Sequence, residues 1–70
     1  MSGLTGRVVD FDEAVGLGTV EADDGRLLPF HCTQIADGSR RVEVGTRVGF
    51  VVRAGRRGTW EAGQVDPIRA

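Results

Sequence analysis

His31 and Cys32 stand side by side and are the only histidine and the only cysteine in the chain. An imidazole next to a thiol could act as base and nucleophile, or as two ligands of a zinc ion. The rest of the sequence supports neither chemistry. Adjacent strand residues point to opposite faces, which sets the pair badly for a dyad. No second ligand pair occurs elsewhere, so four-coordinate zinc is not expected. No carboxylate pair, phosphate-cradling loop or metal-ligand set has the spacing that catalysis requires, so neither enzymatic activity nor a cofactor is expected. Cys32 reads as a partly buried small hydrophobe.

A second kind of chemistry is stacking combined with charge neutralisation. Trp60, the only tryptophan, follows the basic turn Gly55-Arg56-Arg57-Gly58, and Arg40 and Arg41 lie in a long polar connection. Together they form the one basic-plus-aromatic set in the chain, suited to unpaired bases and phosphates. The competing reading makes Trp60 a lid over one end of a barrel and the arginines a solvated surface. Net charge is −1 but unevenly spread: residues 1–35 carry two arginines and six acids, residues 36–70 seven arginines and four acids. A polyanion would favour the second half.

The elements that position these residues are strands. Eleven glycines punctuate the 70 residues, and no window carries a helical apolar period. Five candidates emerge. They are Gly6–Phe11 with Val8 inward, Gly16–Ala22 with Val20 and Ala22 inward, and Leu27–Cys32 with Leu28 and Phe30 on one face. The others are Thr46–Arg53, alternating Val48, Phe50 and Val52 inward, and Trp60–Val65. Asp24-Gly25 predicts a tight hairpin turn with φ > 0 at both central positions. Pro29 removes a ladder donor, so the third strand is an edge or bulged there. Gln34–Gly45 is the longest connection and crosses between sheet layers. Five short strands with one buried face each must curl to hide their edges, predicting a small antiparallel barrel of oligonucleotide-binding (OB) or SH3-like type.

One domain is expected over 1–70, with its core at about 4–65. A chain this size buries only about 60% of its unfolded surface and has no room for an interdomain cleft. No apolar run approaches the roughly 18 residues of a membrane helix, and no charged-then-apolar leader opens the chain. A lone cysteine excludes an internal disulfide and points to a reducing, cytoplasmic setting.

Several spaced anchors share a pattern. Gly6-Arg7-Val8-Val9-Asp10-Phe11-Asp12, Gly16-Leu17-Gly18-Thr19-Val20, Asp24-Gly25 and Leu28-Pro29-Phe30-His31-Cys32 occur in order. Gly45, Val48-Gly49-Phe50 and Ala62-Gly63-Gln64-Val65 follow. From about Leu4 to Val65 the chain resembles the cold-shock domain, as a divergent member of the bacterial kind. The resemblance implies a five-stranded antiparallel OB-fold barrel that binds single-stranded RNA and DNA through two ribonucleoprotein-type motifs on neighbouring strands. The family's first motif reads roughly Lys-Gly-Phe-Gly-Phe-Ile; Val15, Leu17 and Thr19 stand at its lysine and phenylalanine positions. Its second reads roughly Val-Phe-Val-His-Phe, and Leu28 to Cys32 occupy it. The family's surface tryptophan is Asp10 here, and the lysine before it is Val9.

His31 and Phe11 are what the resemblance retains of the binding face, and it places Arg40 and Arg41 where the family has further binding residues. Stacking is worth roughly 1–3 kcal/mol per base, so losing three rings weakens binding by about 100-fold or more. Asp10 adds repulsion toward phosphates. The leading expectation is a weak, low-specificity single-strand binder acting as an RNA chaperone or regulator. Its contacts would come from His31, Phe11, Arg7, Leu17, Arg40, Arg41, Arg56, Arg57 and Trp60. The alternative is a protein-interaction module, self- or hetero-associating, with Val9, Val15, Leu17, Pro29 and Val51 as an apolar patch.

Overall fold

Strict alternation would put Asp10 on the same side of the first strand as Val8, burying a carboxylate. The chain avoids this with one extra residue. In the computed structural model, which describes residues 3–36, 38, 41–55 and 58–68, Val8 pairs with Val20 but Asp10 pairs with Thr19. Val9 is the bulged residue, and beyond it the sides reverse: Asp10 turns outward and Phe11 inward.

The five strands are β1 (Leu4–Asp12), β2 (Leu17–Ala22), β3 (Leu27–His31), β4 (Arg47–Ala54) and β5 (Trp60–Pro67). They form one antiparallel sheet in the order β3-β2-β1-β4-β5. β3 packs against β5 across the interior, and a parallel bridge between Ile35 and Val65 helps close the barrel. The amide of Ala36 donates to the Val65 carbonyl at 2.6 Å. The fold is the all-β, five-stranded OB barrel that the sequence predicts. Pro29 sits in regular register with Thr19 on the terminal strand, so the edge reading of β3 holds without a bulge.

The interior is Val8, Val20, Ala22, Leu28, Phe30, Ile35, Val48, Phe50, Ala62 and Val65, with no buried polar or charged residue among those described. Val52, expected inward, is only half-buried at the rim. Ile35 is a core residue inside the stretch expected to be a polar crossing. A 3₁₀ turn at Cys32–Gln34 delivers it there.

A second bulge corrects the parity of β5. Gly49 pairs with Asp66 and Val51 with Gly63, so Gln64 and Val65 together face Phe50. Gln64 takes φ 50°, and both Ala62 and Val65 point inward. The Gln64 amide donates to Gln34 Oε1 at 3.3 Å, and the same oxygen accepts from Arg53 Nη1 at 3.2 Å.

The β2–β3 turn differs from expectation. Only Gly25 takes positive φ, at 94°; Asp24 does not. The Gly25 amide donates to the Ala22 carbonyl, and the Ala22 amide to the Arg26 carbonyl, each at 2.8 Å. Three residues therefore loop between the paired ends, and the left-handed glycine closes them, a geometry that needs one glycine rather than two special residues.

Gly18 lets the interior close over β2. A Cβ there would lie 2.6 Å from Phe30 Cζ and 2.8 Å from the Asp10 carbonyl oxygen. Phe30 in turn stacks on Phe11, with ring centroids 5.9 Å apart and planes 9° from parallel. Gly18→Ala should therefore overpack this layer and lower unfolding free energy by about 1–3 kcal/mol in urea titration. An unchanged midpoint would show that the rings move aside freely.

Candidate nucleic-acid interface

The outward faces of β1, β2 and β3 carry three successive rows of side chains. They are Asp12–Leu17–His31, Asp10–Thr19–Pro29 and Arg7–Glu21–Leu27. Leu17 and Leu27 are 51% and 63% exposed, and Val15 stands exposed in the turn beside Leu17. The imidazole of His31 is the sole ring with π-surface in these rows, and each row contains one carboxylate.

His31 ends β3, exposed, and its ring is held from behind. Nδ1 accepts the Thr33 backbone N–H at 3.2 Å and lies 2.9 Å from Thr33 Oγ1. An amide N–H only donates, so Nδ1 presents its lone pair and the proton of the neutral ring sits on Nε2. The imidazole is thus orientated as a flat surface with a donor at its far edge.

Cys32 lies nearer to that ring than strand alternation implies. The strand stops at His31 and the 3₁₀ turn begins, bringing Sγ to 3.9 Å from Nδ1. The expectation of opposite faces is corrected here, but the closer approach does not build a dyad. Nδ1 is already occupied by the Thr33 amide and faces a half-buried thiol.

The bulge at Val9 removes Phe11 from the outer rows. Its ring is half-buried against the core, and its remaining exposure lines a cleft of about 380 Å³ with Glu13, Arg41, Val42, Glu43 and Val44. Arg41 reaches Glu13 there, Nε to Oε2, at 3.1 Å. Two predicted site residues, Phe11 and Arg41, therefore line the same cleft, beside the carboxylates of Glu13 and Glu43. Trp60 is 61% exposed and pairs with Ala54 at the end of the β4–β5 hairpin. That end runs past Leu4 of β1, whereas Leu17 and His31 align with Asp12 at the other end of the strand. The exposure of Trp60 is not that of a lid. Arg40, Arg56 and Arg57 lie outside the described residues.

Arg7 faces outward between Glu21 on β2 and Arg47 on β4. Arg47 is drawn off by Asp23, at 3.0 Å between Nη1 and Oδ1, and Asp23 also accepts a hydrogen bond from the Thr5 hydroxyl. Arg26 pairs with Asp24 at 2.9 Å. Three arginines are thus matched by carboxylates. Sequence reasoning passed over Leu27, Glu21 and Thr33. Alternation along β2 and β3 already sets Leu27 and Glu21 on the outer face, but the Thr33 contact depends on a turn that the pattern does not announce.

No family model and no curated protein matches the chain. Among solved structures it is similar to a Drosophila Unr cold-shock domain structure, "drosophila Unr CSD456", with a TM-score of 0.80 at 22% identity. The match covers 97% of this chain and 27% of the chain in that structure, so this chain spans about a quarter of its length. The barrel is therefore a cold-shock-like OB fold.

The Thr5 hydroxyl, then Arg47, hold the Asp23 carboxyl below the ordinary aspartate range. A depressed carboxylate contributes stability above its unfolded pKa and loses that contribution as pH falls through its folded value. Carbon-detected NMR titration should show Asp23 deprotonating at lower pH than a free aspartate. Thr5→Val and Arg47→Ala should each move it back upward; an unmoved titration would break the assignment.

Proposed function

We propose that this barrel binds single-stranded nucleic acid weakly and with little sequence preference, in the manner of an RNA chaperone or regulator. The observation that carries the reading is the orientation of His31, an exposed ring fixed by Thr33 at the end of β3 on a cold-shock-like scaffold. A base stacks on the imidazole, and Leu17 and Pro29 offer flat apolar contact to its neighbour or its sugar. Phe11 contributes through the edge left open in the cleft, beside Arg41. Trp60 and the arginines at positions 40, 56 and 57 supply further stacking and phosphate neutralisation.

Affinity is low for a physical reason. Phosphate contacts dominate binding, and the outer rows hold Asp10, Asp12 and Glu21 against Arg7. Stacking positions are filled by an aliphatic group, a hydroxyl and a saturated imino-acid ring, none of which offers π-surface.

Titrating labelled oligopyrimidine RNA and DNA at low salt should give binding in the tens of micromolar, steeply weakened by added salt. His31→Ala should reduce affinity about tenfold, and Leu17→Phe, which restores one ring, should raise it by a similar factor. No binding at that concentration, together with no gain from Leu17→Phe, would remove the reading.

A further inference from the structure

The outer face of β1–β3 has a regularity that stacking does not use. Each row pairs one carboxylate with one exposed apolar residue: Asp12 with Leu17, Asp10 with Pro29, Glu21 with Leu27. Rows repeat about every 7 Å along β2 and β3, the distance spanned by two residues of extended chain. The side chains of Asp10 and Glu21 make no hydrogen bond or ion pair with any other described residue. The acids form a stepped band, Asp12 and Asp10 on β1 and Glu21 on β2, with Asp12 Oδ1 accepting the Ala14 amide, and the apolar residues step beside it from Leu17 on β2 to Pro29 and Leu27 on β3. Isolated exposed hydrophobics are ordinary, but an aligned set on one sheet face is characteristic of a contact surface.

We infer that this face docks an extended, arginine- or lysine-rich segment of a partner protein. Long basic side chains fit both bands at once, because their methylene stems lie on apolar groups while the charged head reaches a carboxylate. Alternate residues of an extended segment fall on successive rows, so three basic residues at i, i+2 and i+4 meet three acids. Arg7 lies within the third row, directly opposite Glu21 and next to Arg47, and so ends the run of acids on β1 after Asp12 and Asp10. The inference stands apart from the nucleic-acid reading and uses charge of the opposite sign. A segment lying here covers the row of His31, so occupancy by the basic segment and by an oligonucleotide would be mutually exclusive.

The test uses fluorescein-labelled octa-arginine, with octa-glutamate as control, in fluorescence anisotropy against the full chain at low and high salt. Octa-arginine should bind, octa-glutamate should not, and added salt should weaken the complex. The double variant Asp10→Asn/Glu21→Gln, altering only outward side chains, should lose about 3- to 10-fold in affinity. Leu17→Ser should lose a further few-fold through the stems. Glu61→Gln/Asp66→Asn, which removes two acids on β5, should leave binding unchanged; circular dichroism checks that every variant remains folded. Equal losses from both double variants would reduce the effect to general acidity and overturn the proposal. So would octa-arginine failing to bind, or light scattering showing that a second copy of the chain covers the face. Labelled oligouridine run in parallel separates the two readings, since the Asp10→Asn/Glu21→Gln change should strengthen its binding while weakening that of octa-arginine.

Discussion

The barrel depends on breaking side-chain alternation in two places. Without the extra residue at Val9, Asp10 would follow Val8 into the interior. Without the extra residue at Gln64–Val65, Gln64 would follow Ala62 inward and Val65 would be expelled. Burying an unpaired carboxylate costs several kcal/mol, comparable to the whole stability of a small domain. Each bulge is secured by neighbouring backbone or side-chain donors and acceptors. The Val8 amide reaches the Thr46 carbonyl at 3.0 Å, the Gly45 amide reaches the Val8 carbonyl at 2.7 Å, and Gln34 serves the Gln64 amide. Two local exceptions thus let ten apolar residues share one interior.

The same parity rule separates the fold from the candidate binding surface. Asp10, Leu17, Thr19, Pro29 and His31 all point away from the core, so their identities can change without disturbing the packing of Phe30 on Gly18. A cold-shock-like barrel therefore persists here without the aromatic rows. Its electrostatics are likewise rearranged by folding. Along the sequence the halves look like an acidic and a basic block, yet Arg47 meets Asp23 and Arg41 meets Glu13, second-half cations on first-half anions. The asymmetry that promised a basic surface is partly consumed inside the molecule.

How much is legible in the sequence follows from which signals are periodic. Val48 and Phe50 alternate cleanly and both are buried; Leu28 and Phe30 do the same on β3. A small five-stranded barrel, of OB or SH3-like type, and the inward Val8, Val20, Ala22, Leu28, Phe30, Val48 and Phe50 come from that period, while the edge position of Pro29 comes from its missing amide donor. The bulges are not legible, because Val8-Val9 and Gln64-Val65 carry no glycine to announce them. Ile35 is lost for a related reason: a lone apolar residue among polar ones has no period, and only the 3₁₀ turn explains its burial. Asp24-Gly25 marks the right place but the wrong turn, since one left-handed residue suffices once the loop has three residues. At the candidate site, alternation sets His31 and Leu17 on the outward faces of their strands, where the register joins them in one row, whereas the inward position of Phe11 requires the bulge.

Charge decides which occupant the outer face tolerates best. A base stacked on His31 brings its phosphates along the sheet, over or beside the carboxylates of three consecutive rows. At surface dielectric, with screening over about 8 Å at physiological salt, each carboxylate adds only a modest repulsion, so stacking can still win locally. Extending the strand across further rows adds repulsion without adding a ring. On the proposed reading, nucleic-acid contact on this face is therefore self-limiting in length, and a longer strand would gain only by turning toward the arginines of the second half. A cationic chain meets the opposite gradient, because every additional row adds both a carboxylate and an apolar support. The placement of carboxylates that would weaken a polyanion on this face is the same placement that would favour the proposed polycation.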